Sequence, residues 1–334
     1  MTKRIAILVA DDVIAGGVIT LIEAFDYCNL YWQDINPDLS APLFECIIYS
    51  PDGGIIKSSK QAYLHAQPLP KNEQALNHVH AVVIASALIN DQKSLNDYIA
   101  RFSPMILALK HFSNSGRIVS AYCSGSLILA STQLLDKCSA TCAWWALELF
   151  QKNYPDVDLT MNDIVVKDKN FLTAGATSAN LSLATALIDE LAGERLATKV
   201  SKLLLIDPNR TSQRPYLNIN LPKKHNDSSV RKIQDWMQSN LHINISQKTL
   251  EKEFAMSYRT ITRRFKLATQ NTPSVYLQKL RIEQTKLLLE STNDSIEKIG
   301  YHVGFDEVST LRKSFNKYTG ISPSLYRKKF KSTA

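Results

Sequence analysis

Apolar and polar positions alternate along this chain in two different rhythms. In the first, short apolar runs alternate with stretches of helical spacing. Arg4–Ala10, a short run that is apolar from Ile5 on, is closed by Asp11 and Asp12, the pattern of a strand buried on both faces. Val18–Tyr31 then carries Leu21, Ile22, Phe25, Cys28 and Leu30 at helical spacing. Phe44–Ser50, ended by Pro51-Asp-Gly-Gly, predicts a second strand, and His80–Ser86 a third. Ser94–Asn114 reads as a helix interrupted near Pro104. Gly116–Ala121 reads as a fourth strand and Leu127–Leu135 as a helix. Asp163–Val166 and Phe171–Ala174 read as short strands, and Ser182–Leu191 as a helix. Strands alternating with helices predict βαβ units and a mostly parallel sheet, whose ligand sites lie beyond the carboxyl ends of the strands.

The second rhythm is helical throughout. Residues 208–227 are polar and proline-containing, a linker by composition. Val230, Ile233, Trp236, Met237 and Leu241 then form a helical stripe, with Trp236 read as a core anchor. Ile245–Phe254 follows. Its cap Ser246 has Thr249 rather than an acid three residues on, which is half a capping box. After a break at Ala255-Met256, Ser257 caps a second helix over Tyr258–Ala268, with Ile261, Phe265 and Ala268 on its buried side. Pro273–Ser291 is a long helix. The short-helix, turn, basic-helix pattern then recurs: Ser295–Val303, the turn Gly304-Phe-Asp306, and Glu307–Tyr318. Two short helices joined by a tight turn, the second of them basic, make a helix-turn-helix. The long helix between the two units has the length to set their second helices about one DNA turn (~34 Å) apart.

Charge follows the same division. The chain has 334 residues and a formal net charge of +8. From Pro222 onward there are 21 Lys and Arg against 10 Asp and Glu, and the remainder holds 18 against 21, so the basic excess lies wholly in the helical part. A near-neutral body joined to a basic tail domain points to a polyanion-binding module attached to something else. The 45% hydrophobic content excludes intrinsic disorder and disulfide scaffolds. The run Ile5–Ala10 is too short for a secretory signal, and no stretch reaches the ~18 apolar residues of a membrane span. Five cysteines, an odd number, fit a reduced cytoplasm, and Cys138 and Cys142 lack the partners of a zinc site. No metal and no cofactor are expected.

One turn carries chemistry. Ile118–Ser126 runs from an apolar strand through Tyr122-Cys-Ser-Gly125 into a helix. This places Cys123 at a nucleophile elbow, where backbone N–H groups and the helix dipole favour a thiolate. With Leu172-Thr-Ala-Gly-Ala-Thr-Ser178 before a later helix, the region Ile5–Asp207 resembles the class I glutamine-amidotransferase-like superfamily of the PfpI type. Enzymes of that superfamily pair the elbow Cys with a His and a carboxylate. Here Ser124 stands where PfpI-type proteases place His, Ala143 stands where relatives often carry His before the Trp, and Gly16-Gly17 stands where some place an acid. A Cys nucleophile needs a general base, and none of the seven His adjoins a motif that would deliver one. The expectation is a non-catalytic sensor domain, with Cys123, Ser124, Trp144 and Thr177 as ligand-pocket candidates. Trp144 and Trp145 are otherwise read as core.

The basic part resembles the AraC/XylS family of transcription regulators over about Val230–Phe330. The most specific piece is Ile296–Arg327, with its Gly304-Phe305 turn, Ser309, Phe315, Gly320, Pro323 and Tyr326-Arg327. Lys313 stands where Arg is usual and Leu311 where an aromatic is common. The resemblance implies a DNA-binding module with two recognition helices, and the DNA-contacting candidates are Tyr258, Arg259, Thr262, Arg263, Lys266, Ser309, Thr310, Arg312 and Lys313.

The expected architecture is therefore an α/β flavodoxin-like parallel-sheet sandwich (1–207), a linker (208–227) and an all-α double helix-turn-helix domain (228–334). The expected function is sequence-specific transcription regulation in the bacterial cytoplasm, acting on double-stranded promoter or operator DNA. Control would come from a small-molecule effector, with homodimerisation through the first domain and no membrane partner. Two alternatives remain open: a Cys-dependent hydrolase or glyoxalase-like enzyme tethered to DNA, and a constitutive architectural DNA binder.

Overall fold

The structure, a computed structural model, describes residues 2–58, 62–207, 210–219, 221 and 225–331. It divides into two compact units, Met1–Gln213 and Arg214–Ala334.

In the first unit the elements in order are β1 (Lys3–Leu8), α1 (Ala15–Ile35), β2 (Phe44–Ser50), β3 (Gly54–Lys57), β4 (Tyr63–Pro68), β5 (Ala81–Ile84), α2 (Gln92–Phe102), α3 (Ile106–Asn114) and β6 (Ile118–Tyr122). Then come α4 (Gly125–Ser131), β7 (Ser139–Ala140), α5 (Leu147–Asn153), β8 (Asp158–Leu159), β9 (Val165–Asp168), β10 (Phe171–Ala174), α6 (Asn180–Ala192) and α7 (Glu194–Leu203). The main sheet has the order β3-β4-β2-β1-β5-β6-β10-β9. Strands β4, β2, β1, β5, β6 and β10 run parallel, and β3 and β9 close the two edges antiparallel. This is the flavodoxin-like α/β architecture, with helices on the sheet.

Burial explains the apolar runs. β5 is buried at every position, and β1 from Ile5 onward, because helices cover both faces. The helix expected over Ser94–Asn114 is split at Pro104, where Ser103–Met105 tightens into a 3₁₀ turn between α2 and α3. The edge hairpin β3–β4, the small pair β7–β8, α5 and α7 go beyond the sequence reading; α7 buries Leu196, Ala197 and Val200 after Gly193 breaks the preceding helix at φ 94.

The second unit is all helix: α8 (Ser228–Ser239), α9 (Gln247–Phe254), α10 (Tyr258–Thr269), α11 (Pro273–Ser291), α12 (Ile296–His302), α13 (Val308–Thr319) and α14 (Pro323–Phe330). Side chains of Asp227, Ser246, Ser257, Thr272, Ser295 and Ser322 cap helix N-termini. At Ser246 the capping box is complete, a correction to the half-box reading: the Thr249 hydroxyl accepts the Ser246 backbone N–H, the part an acid usually takes.

Two cores lie either side of α11. Val230, Ile233, Met237, Leu250, Ile261 and Phe265 pack with Tyr276, Leu277 and Leu280 of α11. Ile299, Val303, Leu311, Phe315 and Tyr326 pack with Ile282 and Leu289 of the same helix. Trp236 is partly buried against the first core, edge-on to Phe254.

The division between units falls inside the 208–227 stretch read as linker, and the described residues there are tied down. Gln213 is buried in the first unit. In the second, the Arg214 guanidinium donates to the Lys317 carbonyl, and Tyr216 packs edge-on against Phe330. The Ile219 N–H donates to Glu283, and the Lys286 ammonium donates to the Leu217 carbonyl at 2.6 Å. Ile219 packs on the second core and Leu221 on the first. Pro208, Asn209, Asn220 and residues 222–224 lie outside the described residues.

Candidate nucleic-acid interface and elbow

Helices α10 and α13 are each the second helix of a helix-turn-helix, and each buries one face. In α10 the buried positions are Ile261, Phe265 and Thr269; in α13 they are Leu311, Ser314, Phe315 and Thr319. The α9–α10 turn is made by Ala255 in the left-handed region (φ 48), and the α12–α13 turn by Gly304 (φ 85).

The opposite faces carry most of the expected contact residues. Arg259, Arg263 and Lys266 are exposed on one stripe of α10, spaced four and then three residues apart. Ser309, Thr310, Arg312 and Lys313 are exposed on α13. Two candidates differ from this pattern. Tyr258 is half-buried against the first core, with its backbone N–H donating to Glu251 at 2.7 Å. Thr262 is half-buried, and its hydroxyl oxygen is buried with no hydrogen-bond partner among the described residues. Two more are engaged: Arg312 pairs with Glu297 at 3.2 Å and Ser309 donates to Glu307. Sequence reading missed Glu297 and Glu307, whose carboxylates accompany the basic face.

The elbow has the geometry its sequence implies. Cys123 sits at φ 58, a left-handed conformation that a non-glycine residue holds only when its surroundings fix it. They do so here: its N–H is shared between the carbonyls of Ala174 (2.9 Å) and Gly175 (2.7 Å) at the end of β10. Gly125 lets α4 start hard against β5, since a Cβ there would lie 2.5 Å from the Ile84 carbonyl oxygen.

The pocket candidates separate on inspection. Cys123 and Thr177 meet, Sγ to Oγ1 at 3.6 Å. The Ser124 hydroxyl is spent on local backbone: it donates to the Ala87 carbonyl at 2.6 Å and accepts the Ala87 N–H at 2.9 Å. It is a staple between α4 and the loop after β5. Trp144 opens a 3₁₀ turn after Ala143 and is half-buried, and Trp145 is 41% exposed, so the core reading of Trp145 does not hold.

Cys123 itself has no exposed surface. Among the described residues no histidine hydrogen-bonds to its thiol. His78 bonds Tyr49, the His80 ring accepts the Arg4 N–H, and His111 faces Glu73. Burial pushes the neighbouring Cys142 thiol up, away from thiolate. No group of metal-ligating side chains occurs among the described residues, and no helix is long and apolar enough to cross a membrane.

An elbow-bearing α/β unit followed by tandem helix-turn-helix units defines the class of this chain. A profile of the DJ-1/PfpI family matches residues 93–190, and one described as a helix-turn-helix domain matches residues 250–329. Among similar Pseudomonas aeruginosa proteins, the HTH-type transcriptional regulator CdhR is 26% identical over 65% of this chain and 64% of its own length. The HTH-type transcriptional regulator ArgR is 28% identical over 67% of this chain and 68% of its own length. The match thus spans a little under two thirds of CdhR, and 58% of a third similar regulator, GbdR. In fold, Drosophila melanogaster DJ-1beta superposes on 62% of this chain and 100% of its own, with a TM-score of 0.51 and 18% identity. The chain joins a DJ-1/PfpI domain to an AraC-type helix-turn-helix domain.

Proposed function

We propose that the chain is a sequence-specific DNA-binding transcription regulator whose DJ-1/PfpI unit senses a small metabolite and performs no catalysis. The observation that carries this reading is the exposed set Arg259, Arg263, Lys266, Ser309, Thr310, Arg312 and Lys313 on the second helices of two helix-turn-helix units. Helix α11, against which both units pack, has 19 residues, and at about 1.5 Å per residue its length approaches one DNA turn of ~34 Å. In this reading the basic side chains supply phosphate contacts and a subset reads base edges in successive major grooves. Tyr258 and Thr262 contribute chiefly to packing.

A buried Cys123 whose thiol meets a threonine hydroxyl, with no histidine hydrogen-bonded to it among the described residues, supports a sensor rather than a hydrolase, because a thiol nucleophile needs a base within reach. The protein would act in the bacterial cytoplasm as a homodimer through its first unit, with Cys123, Thr177 and Trp144 near its effector. The test is titration of a selected operator with Arg263→Ala and Arg312→Ala. Loss of about 1–3 kcal/mol is expected where a base contact is removed. Unchanged affinity in both variants overturns the residue assignment. Turnover abolished in Cys123→Ala would favour the enzymatic alternative.

A further inference from the structure

The segment just before the second unit lies against the loop that follows β10. The Arg210 guanidinium donates to the Ser178 hydroxyl, and the Thr211 carbonyl accepts the Ile164 N–H. The Gln213 side chain then enters a closed polar niche and is only 4% exposed. Its Nε2 donates to Thr141 Oγ1 at 2.9 Å and to the Cys142 carbonyl at 3.1 Å, and it lies 3.8 Å from Met161 Sδ. Its Oε1 accepts the Ala176 N–H at 3.3 Å. The floor is Gly175, where a Cβ would stand 2.3 Å from the Gln213 carboxamide. The same Gly175 accepts the Cys123 N–H through its carbonyl.

We propose that this niche is a binding site for a primary carboxamide, that Gln213 is its resident internal ligand, and that a small primary amide competes with it. The chemistry of the walls defines the class. One end supplies an N–H donor and the other supplies two oxygen acceptors, at the separation of a planar C(=O)NH₂ group. A carboxylate has no hydrogen for the Cys142 carbonyl, which can only accept, and an ammonium or guanidinium has no acceptor for the Ala176 N–H. When Gln213 leaves, the Ala176 N–H and the Cys142 carbonyl are buried without partners, so the vacated site favours a group that restores both bonds. The peptide bond to Arg214 makes the exchange consequential, since that residue's guanidinium is bonded to the end of α13. This consequence alone rests on the regulator reading.

The test uses the full chain, acetamide as the probe, and acetate and N,N-dimethylacetamide as controls. Gln213→Ala is expected to lower the melting temperature of the first unit. Acetamide is expected to restore it saturably in the variant, with little effect on wild type and none from either control. Gly175→Ala, whose methyl fills the same space, is expected to melt early without rescue. Equal responses to the three probes, or equal responses of variant and wild type, overturn the proposal. If Gln213→Ala does not fold, the wild-type Gln213 side-chain NH₂ resonances, assigned by their loss in Gln213→Glu, carry the test. They move to free-amide positions as acetamide saturates the site, and resonances that stay fixed overturn it. DNA titration of the wild type is a separate arm: absence of DNA binding would sink the regulator reading and leave amide binding standing.

Discussion

A Cβ built on Gly304 would stand 2.6 Å from a guanidinium nitrogen of Arg281 and 2.0 Å from the Leu241 carbonyl oxygen. That closeness marks where the two helix-turn-helix units are joined. Arg281, on α11, donates to the carbonyls of Leu241 (3.4 Å) and Ile243 (3.0 Å) after α8, and lies 5.6 Å from the centre of the Phe305 ring in the α12–α13 turn. Burial holds its pKa below the usual arginine value. Gly304→Ala is expected to lose about 1 kcal/mol or more for the left-handed backbone and about 1–3 kcal/mol for the overlap. Arg281→Met leaves two carbonyls uncapped, at about 1–3 kcal/mol. Hydrogen exchange reads both: protection should fall in α8–α14 while the first unit is unchanged. Protection retained in both variants would show that the clamp is not structural.

The Arg312–Glu297 pair lies on the face proposed to meet DNA, with both side chains more than half exposed. Such a pair contributes about 0.2–1 kcal/mol to stability, whereas an uncompensated acid near phosphate opposes binding. Glu297→Gln is therefore expected to leave the melting temperature nearly unchanged and to raise DNA affinity severalfold at low salt. The gain should shrink as salt screens the charge. Weaker binding by Glu297→Gln would mean that the pair pre-orders Arg312 rather than restraining it.

Legibility tracked how local each signal was. The parallel strands other than β4 and the α10 and α13 helices were readable because a covered strand or an amphipathic helix writes its burial into neighbouring positions. The elbow was readable because its apolar strand, its Cys-Ser-Gly turn and the start of its helix are contiguous in the sequence, although the carbonyls of Ala174 and Gly175 that hold Cys123 lie at the end of β10. The β3–β4 hairpin was not, because its residues include Lys57, His65 and Gln67 and its edge position leaves most of them exposed. Residues 210–221 read as linker because Arg, Ser, Gln and Pro are linker residues by composition. Their partners, such as Thr141 for Gln213 and Lys317 for Arg214, are about seventy and a hundred positions away in sequence. Ser124 looked like a pocket residue because it follows the nucleophile position, yet its hydroxyl is consumed at Ala87, thirty-seven positions earlier.

Glycines offer a graded test of the elbow. Gly125→Ala would place a methyl 2.5 Å from the Ile84 carbonyl and 2.9 Å from that of Ala85, both backbone atoms of the sheet's carboxyl edge. The first unit should lose about 1–3 kcal/mol, and Cys123 should become reactive to a thiol reagent as α4 lifts. Gly16→Ala is the control: it lies in α1 with nothing within 4 Å of a new Cβ. Removing that helix glycine should stabilise by about 0.5–1 kcal/mol. Equal effects from the two substitutions, read by denaturant unfolding, would refute the close-packing argument.

Asp227 couples the second unit to pH. One carboxylate oxygen caps α8 by accepting the Val230 N–H, and the Arg264 guanidinium donates to both oxygens at 2.7 and 2.8 Å. The hydrogen bonds from Arg264, more than the cap, hold its pKa below the usual carboxylate value. A depressed folded-state pKa means that the unfolded chain binds the proton more readily. The stabilisation is therefore complete above the unfolded value of about 3.9 and is lost as pH falls from there through the lower folded value. Asp227→Asn retains a capping oxygen and removes the charge. It should be less stable than wild type at neutral pH, with the difference closing as pH falls below about 4. Unfolding midpoints of the two proteins across that interval measure this, and a gap that stays constant with pH would show that the carboxylate charge contributes nothing to holding α8 against α10.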